Sequence, residues 1–477
     1  MRPRDETNQA GGAAIFSKLF VPLAVSVTVP ALPREDEPLT LAAMSSPSST
    51  PLPGSGRLMS IDALRGFDMF WIIAGDALVY ALSRMAGEKG EGFSFFKFLA
   101  SQLEHADWAG FRFYDLIFPL FVFIVGVSVV FSLTKELEQG GRPAALKRVV
   151  RRVLLLFAIA FLYSGGFRNV WPDMRLLGVL NRITLCYGAA AILFLFFKPK
   201  QLVALCAGIL VSYWALLTFI PIRDIQLADK PLMELAEKAG NSAAVKALNS
   251  ATNPSSVKNS PAIAFARQQF DATTNFVTGK FEPGYNLANH VDLQFLPGKK
   301  YDRYYDPEGL LSTIPAIGTC LLGIFAGLLI RSRHFCDKWK LIYLVSFGVG
   351  AVLLGWLWNL QFPVVKKLWS SSFVLVAGGY SALLLAVFYW VIDVKQWRWW
   401  CMPFVWFGCN AITIYLANTL VGGFRSVAAR FVGGDVRAFF ETNVTKGFGD
   451  LVVALVGMLL AFLFLRFLYR KKLFLRL

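Results

Sequence analysis

Residues 118–126 read Phe-Pro-Leu-Phe-Val-Phe-Ile-Val-Gly, a stretch without a charged or strongly polar side chain. Apolar residues dominate from 113 to 134 around it. A helix that crosses the hydrocarbon core of a bilayer needs about 20 mainly apolar residues. This stretch therefore predicts a membrane-spanning helix, and 452–465 predicts another.

The composition extends this interpretation to the whole chain. Of 477 residues, 56% are hydrophobic and 17% are charged, against about 45–50% and about 25% in ordinary soluble chains. One soluble core could not bury 43 Phe and 13 Trp. A disordered chain, a disulfide scaffold and a soluble nucleic-acid binder are therefore excluded, and we expect a polytopic membrane protein.

Apolar runs of spanning length recur along the chain. They predict an all-α fold, a transmembrane bundle of about ten helices in contact with the lipid bilayer. The predicted spans are 66–83, 113–134, 149–167, 178–197, 201–221, 309–330, 341–360, 369–392, 403–421 and 448–469.

The net charge of +17 comes from 48 Lys and Arg against 31 Asp and Glu. Basic residues follow every even-numbered span, and cytoplasmic loops retain positive charge. This pattern predicts that both termini lie in the cytoplasm. The loop between spans 9 and 10 runs against the pattern, with Arg425, Arg430, Arg437 and Lys446.

Two segments fall outside the spans and divide the chain into four parts. Residues 1–56 are rich in Pro, Ser, Ala and Thr, which predicts a disordered cytoplasmic tail. A signal segment over 13–32 is the alternative, and its cleavage would reverse span 1. Residues 222–308 form a long extracytoplasmic insertion, which we expect to be a partly helical lid. Residues 57–221 hold spans 1–5, and 309–477 hold spans 6–10.

Ionisable residues inside membrane spans cost free energy to bury, so they are candidates for functional residues. Asp62, Arg65, Asp68 and Asp76 in span 1 fall within an arc of about 120° on a helix. A structural ion-pair network is the alternative for Asp62 and Asp68. The six cysteines form no CxxC pair, and we expect no metal site.

A second polar group precedes span 2. His105 stands between acidic residues and close to Trp108, and Asp115 begins the span. Histidine has an unperturbed pKa of about 6.5, which suits proton transfer near neutrality. His105 is therefore a candidate for catalysis, although an inert loop histidine is the more common case.

Further polar residues suggest a pocket for a polar, partly anionic molecule. An arginine inside span 4, Arg182, needs an anionic partner, and Asn181 precedes it. Asp306 and Glu308 introduce span 6, where they could also be ordinary helix-start acids. Asn410 in span 9 could hydrogen-bond a substrate or a neighbouring helix.

Several of these stretches, in this order, resemble the heparan-α-glucosaminide N-acetyltransferase family of membrane acetyltransferases. The first motif is Arg57-Leu58-Met59-Ser60-Ile61-Asp62-Ala63-Leu64-Arg65-Gly66. The others are 105–110, 115–123, 178–183, 305–314, 368–373 and 407–412.

The resemblance implies transfer of an acetyl group from cytoplasmic acetyl-CoA, the co-substrate, to an amino sugar on the far side. The active histidine of the family falls on His105, and its span-4 arginine falls on Arg182. A catalytic asparagine of the lysosomal relative falls on Asp76, which is a departure, because an acid can take a proton and an amide cannot.

In this interpretation His105, oriented by Asp76 or Asp115, is the catalytic base. Direct attack by His105 on the acetyl group is the alternative. Asn410 would hydrogen-bond the oxyanion. Arg65, Arg182, Asn181 and Asn410 would surround the coenzyme, and Trp108, Asp306 and Glu308 would contact the acceptor.

Two other functions fit the same sequence. One is an amino-sugar transporter for N-acetylglucosamine, and the other is an O-acetyltransferase of a cell-envelope glycan. The expected location is the inner membrane of a bacterium, and a homodimer is possible. The sequence leaves open whether the acceptor is free glucosamine or a glycan end.

Overall fold

The computed structural model describes residues 58–85, 95–250, 257 and 260–475, and most of these are helical. The expected disordered tail, 1–56, lies outside the described residues. The all-α class predicted from composition and periodicity is confirmed. The helices of the first part of the chain are α1 (Met59–Phe70), α2 (Asp76–Met85), α3 (Phe95–Gln102), α4 (Phe113–Tyr163), α5 (Val179–Phe196) and α6 (Pro199–Phe219).

The segment after α6 is built of short elements, and the rest of the chain returns to long helices. The short elements are β1 (Ile222–Arg223), α7 (Asp229–Lys238), α8 (Ser242–Leu248), α9 (Pro261–Ala272), β2 (Phe276–Val277) and α10 (Leu287–Phe295). The remaining helices are α11 (Thr313–Arg331), α12 (Asp337–Trp358), α13 (Ser371–Phe388), α14 (Met402–Cys409), α15 (Ala411–Leu420), α16 (Phe424–Val432), α17 (Asp435–Asn443) and α18 (Phe448–Arg470).

Seven helical stretches in the described part of the chain are long and apolar enough to cross a membrane, or eight if α1 and α2 form one bent span. Predicted spans 2 and 3 both lie in α4, which is broken at Gly141 (φ 69°, ψ −172°). Predicted span 9 is divided into α14 and α15 at Asn410. The count of ten spans therefore stays a prediction.

Close helix contacts in the membrane bundle depend on glycine. A Cβ atom on Gly323 of α11 would lie 1.9 Å from the carbonyl oxygen of Phe123 on α4. On the facing helix, a Cβ on Gly126 would lie 2.0 Å from the carbonyl oxygen of Cys320. Small residues let helix backbones approach closely where lipid provides no hydrophobic drive for association. The α4–α11 pair is therefore fixed by backbone contact.

Residues 222–308 form a small structure with its own hydrophobic core. The antiparallel pair β1–β2 joins Ile222 to Val277. Side chains of α7, α8, α9 and α10 form a core separate from the main core of the membrane helices. The buried residues include Leu232, Ala236, Phe265, Phe270 and Leu293.

Asp292 of α10 organises the chain between this segment and α11. Its carboxylate accepts hydrogen bonds from the amides of Leu310 (2.9 Å) and Asp306 (3.3 Å). Burial raises the pKa of Asp292 from its ordinary value of 3.8 to about 7, although the two amides act in the opposite direction. A buried carboxyl that titrates near neutrality therefore holds the segment that carries Asp306 and Glu308.

The first prediction concerns the α4–α11 contact. Replacing Gly323 with alanine should destabilise the protein by about 1–3 kcal/mol, because the methyl group meets backbone rather than a movable side chain. Gly350→Ala on α12 is the matched control, since a Cβ added there would meet no neighbouring atom within 4 Å in the described structure. The measurement is the thermal unfolding midpoint in detergent. Equal midpoints for the two variants would contradict the close contact.

The second prediction concerns Asp292. Between pH 4 and 7 the folded chain keeps a proton at Asp292 that the unfolded chain has lost, so this group favours folding at low pH and loses that effect as the pH rises through 7. Asp292→Asn should therefore flatten the decline of the unfolding midpoint between pH 5.5 and 8. The control, Asp271→Asn at an exposed position, should keep the wild-type slope. An unchanged slope in Asp292→Asn would contradict the assignment.

Candidate active site

A cavity of about 520 Å³ lies among α1, α4, α5 and the α14–α15 break, within the range of about 300–1,000 Å³ typical of ligand pockets. Its lining follows α4 from Tyr114 to Ser128. At about 1.5 Å per residue, that interval spans about 21 Å along the helix. The hydrocarbon core of a bilayer is about 30 Å thick. The cavity therefore covers most of the depth of a membrane.

His105 and Asp115 meet at the Tyr114 end of the cavity. The Nδ1 atom of His105 lies 2.9 Å from Oδ1 of Asp115. The Asp115 side chain is buried, and its Oδ2 atom accepts hydrogen bonds from the amides of Ala106 and Arg112, both at 3.1 Å. The His105 side chain is 53% exposed. The carboxylate thus fixes an imidazole that faces accessible space.

Lys366, which sequence reasoning missed, completes this cluster. Its Nζ atom lies 3.0 Å from Nδ1 of His105 and 3.4 Å from Oδ1 of Asp115. Burial lowers the pKa of the Lys366 ammonium below its ordinary value, and the neighbouring Asp115 carboxylate opposes this effect. Three titratable groups therefore share one corner of the cavity.

Backbone pairing explains how Lys366 reaches His105 from a distant part of the chain. The amide of Gly110 donates to the carbonyl oxygen of Val364 at 2.9 Å, and Ala109 forms an antiparallel bridge with Val365. The loop before α4 is thereby joined to the loop before α13. The sequence offers one signal, since Lys366 stands two residues before the Leu368-Trp369 motif.

Asp76, the other acid predicted to orient His105, does not contact it in the described part of the chain. Its carboxylate accepts a hydrogen bond from the amide of Ala77 at 2.6 Å, and it is not part of the cavity lining. Across the described residues, no hydrogen bond or ion pair joins it to His105. Of the two candidate acids, the structure brings only Asp115 to the histidine.

Arg182 lies buried against the cavity in the first turn of α5. Its Nη2 atom donates to the carbonyl oxygen of Pro307 at 2.7 Å and to the hydroxyl of Ser312. Its guanidinium carbon is 5.0 Å from the ring centre of Trp369. Its Nε atom has no hydrogen-bond partner within the described part of the chain. Its hydrogen-bond partners in the described structure are therefore uncharged oxygens, and the Nε donor stays open for an anionic or polar ligand.

The two predicted asparagines differ in position. Asn410 lines the cavity at the α14–α15 break, and its buried Oδ1 atom has no partner among the residues described. Its Nδ2 atom donates to the carbonyl oxygen of Trp406 at 3.5 Å. Asn181 is buried beside Arg182 but is not part of the cavity lining. Asn410 is thus the asparagine that offers an acceptor to the cavity.

Asp306 and Glu308 are held by Arg175, another residue that the sequence did not single out. The guanidinium binds Asp306 through two hydrogen bonds of 3.0 and 2.8 Å, and it binds Glu308 at 2.8 Å. Asp306 also accepts from the amides of Tyr301 and Glu308. Burial raises the pKa of Glu308, with the Arg182 guanidinium opposing. Asp306 is therefore buried in structural hydrogen bonds, whereas Glu308 lines the cavity.

Trp108 connects the loop before α4 to the segment 222–308. Its indole Nε1 donates to the carbonyl oxygen of Phe281 at 2.7 Å, and its ring meets Tyr305 edge to face at 6.4 Å. It also lines the cavity. Since its N–H is already used, Trp108 can offer a ligand its aromatic surface.

Guanidinium groups mark the other end of the cavity. Arg65 donates to the hydroxyl of Ser128 at 2.7 Å and lies 3.6 Å from Asp62. Arg152, which the sequence marked only as a charge that orients the spans, lies over Tyr187 with 4.7 Å to the ring centre. The buried Nε atom of Arg152 has no partner in the described ranges. Leu475, beyond α18, lines the cavity as well.

Asp68 lies outside this arrangement. It is fully buried, and both carboxylate oxygens lack a hydrogen-bond partner within the ranges that the structure describes. Arg65 is near Asp62 instead. Nothing in the described residues forms a group of three or more His, Cys, Asp or Glu side chains that could hold a metal ion.

Comparison with known proteins agrees with the motifs. The family model for the heparan-alpha-glucosaminide N-acetyltransferase catalytic region matches residues 57–228, a range that includes His105, Asp115, Arg152 and Arg182. Heparan-alpha-glucosaminide N-acetyltransferase of Mus musculus is 28% identical over 471 residues, and that of Homo sapiens is 27% identical over 472. Each alignment covers 92% of this chain and 65% of the relative.

The chain thus spans 65% of the length of these curated relatives. The alignments cover most of the chain rather than one motif, and the range matched by the family model contains the His105–Asp115 pair and the cavity-lining face of α4. The chain is thus similar to heparan-alpha-glucosaminide N-acetyltransferases over most of its length, and residues 57–228 match the catalytic region of that family.

Proposed function

We propose that this protein is a membrane acetyltransferase that moves an acetyl group from acetyl-CoA to the amine of a glucosamine-type sugar. One observation carries the proposal. A hydrogen-bonded His105–Asp115 pair lies at one end of a cavity about 21 Å long, and guanidinium groups lie toward the other end. A long, thin donor with anionic groups at one end and a reactive group at the other fits this shape.

The side chains along the cavity suit acetyl-CoA. Arg152 and Arg65 would hold its phosphates, since guanidinium groups bind phosphate oxygens through directed hydrogen bonds. The arm of acetyl-CoA that joins the phosphates to the thioester carries amide groups, which need hydrogen-bond donors and acceptors. The unpaired Nε of Arg182, Oδ1 of Asn410 and Oγ1 of Thr413 provide them within the described residues. When bound, acetyl-CoA supplies an acetyl thioester, which is an activated acyl donor.

His105 removes the proton that the acceptor amine must lose. An ionised Asp115 can only accept hydrogen bonds, so Nδ1 of His105 carries the proton between them. The lone pair of the neutral ring is then on Nε2, which would take the amine proton as the carbon–nitrogen bond forms. The carbon–sulfur bond of the thioester then breaks, and the imidazolium returns the proton to the departing thiolate, which leaves as the free thiol of coenzyme A. Asp115 also stabilises the imidazolium that results, as a carboxylate does for histidine in other acyl-transfer sites.

Asn410 has a different role from the one first expected. An oxyanion needs hydrogen-bond donors, but the Nδ2 atom of Asn410 already donates to Trp406, and the open atom is Oδ1. This supports acceptance of an amide N–H from the arm of the coenzyme. At the opposite end, Glu308 and the face of Trp108 would contact the acceptor sugar.

The proposed orientation puts His105 on the extracytoplasmic side, together with segment 222–308, and both termini in the cytoplasm. The basic residues after even-numbered spans support it. The loop between predicted spans 9 and 10, which is basic although its predicted side is extracytoplasmic, carries arginines that pair with an acid. Arg425 and Arg437 lie 3.6 and 3.0 Å from the buried Asp450, which Arg84 also contacts. Arginines that are paired with a buried carboxylate carry less weight in predicting which side of the membrane a loop faces.

The third prediction tests the function directly. Purified protein with acetyl-CoA and glucosamine should release free thiol, and His105→Ala should reduce the rate at least about 100-fold, since general base catalysis contributes about 10²–10⁴. His334→Ala, at an exposed turn, is the matched control and should keep the wild-type rate.

Three outcomes would contradict the proposal. Sugar uptake into vesicles without thiol release would indicate the transporter. Acetylation of a sugar hydroxyl in place of the amine would indicate the O-acetyltransferase. Full activity in His105→Ala would remove His105 from the mechanism.

The fourth prediction concerns the guanidinium end. Arg152→Gln should raise the KM for acetyl-CoA about 10-fold and leave kcat within about twofold, because a lost charge-assisted hydrogen bond costs about 1.5–3 kcal/mol of binding. Arg151→Gln, at the exposed neighbouring position, should leave both constants unchanged. A larger effect at Arg151, or an effect on kcat alone, would contradict the assignment.

A further inference from the structure

One carboxylate oxygen at the active site has two competing partners. Oδ1 of Asp115 lies 2.9 Å from Nδ1 of His105 and 3.4 Å from Nζ of Lys366. The two nitrogens are themselves 3.0 Å apart. An ammonium and an imidazolium at that separation repel each other, because two like charges a few ångströms apart in a partly buried site cost several kcal/mol. The single negative charge of Asp115 can compensate only one of them.

We propose that Lys366 is a positioning residue that serves as the counter-charge of Asp115 and thereby disfavours a second positive charge on His105. The imidazole then begins each cycle with its lone pair on Nε2, the ring nitrogen that lies farther from the lysine, at 3.5 Å against 3.0 Å for Nδ1. This inference rests on the proposed function, because it assigns Lys366 a role in the reactivity of the catalytic base.

The other charged groups around the cluster do not supply this counter-charge. Arg112 donates to the backbone oxygen of His105 and lies 3.6 Å from Glu104, so its charge is shared with another acid. The Tyr114 ring stacks on His105 with 4.9 Å between ring centres and is uncharged.

Two further groups come from other elements. Lys367 points to Asp302, at 2.7 Å. Glu308 lies on the chain before α11, where Arg175 binds it. In the described structure Lys366 is therefore the cation that directly contacts both His105 and Asp115.

The position of Lys366 also favours release of the proton once it has been taken. When Nε2 accepts the amine proton, the cluster holds two positive charges and one negative charge. The nearby ammonium raises the energy of that state, so the proton is passed to the departing thiolate of coenzyme A rather than retained. Lys366 thus opposes storage of the proton at His105 in each cycle.

The experiment compares Lys366→Met with Lys366→Arg, and Lys367→Met is the matched control one residue away. The rate of thiol release from acetyl-CoA with glucosamine is followed from pH 5 to 9 as kcat/KM. In Lys366→Met, the imidazolium becomes the sole charged partner of Asp115, beside the two backbone amides. The fall of kcat/KM on the acid side of the pH profile should therefore move about 1–2 pH units upward, as expected when a charge within about 4–6 Å is removed. Lys366→Arg and Lys367→Met should keep the acid side of the wild-type pH profile.

A second measurement needs no turnover. Diethyl pyrocarbonate modifies neutral imidazole, and mass spectrometry of the peptide that contains His105 follows the reaction against pH. Half-maximal modification should move upward by the same amount in Lys366→Met and stay in place in Lys366→Arg. This readout remains valid if wild-type protein releases no thiol, a result that would count against the proposed function but not against the role of Lys366.

Two results would overturn the inference. In the first, Lys366→Met keeps the pH dependence of kcat/KM and of His105 modification seen in the wild type, and its rate falls equally at every pH. Lys366 would then only hold the two loops together. The other is the same upward shift in Lys367→Met, which would mean that the net charge of the region, not the contact with Asp115, sets the behaviour.

Discussion

The buried carboxylate of Asp115 is the group on which the site depends. It receives two backbone amides at the start of α4, the imidazole of His105 and the ammonium of Lys366. A buried charge is tolerated only when it is paired and hydrogen-bonded. The partners of Asp115 come from the loop before α4 and the loop before α13, so these two loops must lie side by side. The backbone bridge between Ala109 and Val365 holds them together.

The segment 222–308 is attached to this arrangement by polar contacts at its edges. Trp108 reaches Phe281, and Arg175 holds the pair Asp306 and Glu308. Because the segment has its own apolar core, it can keep its shape while such contacts set its position over the cavity. Asp292, with a pKa of about 7, lies where that segment joins α11.

The sequence was most informative where a signal is local. The long apolar runs predicted the membrane helices, and the short spacing between His105 and Asp115 made their contact easy to anticipate. Lys366 could not be placed in the same way, because its contact depends on a backbone bridge across more than 250 residues. Asp76 shows the limit of a helix-face argument, since it shares a face with Asp62 and Arg65 on a straight helix, but the described structure has a 53° bend between Ile73 and Asp76.

The break in α4 has a consequence for the width of the cavity. The helical half before Gly141 contributes Tyr114 to Ser128, and the half after it contributes Arg152, Leu156 and Ile159. Gly141 has a backbone conformation that side-chain-bearing residues rarely adopt. The torsion angles of Gly141 fix the direction in which the second half of α4 leaves the first. They thereby help to set the distance between the two cavity-lining faces of α4 near Arg152.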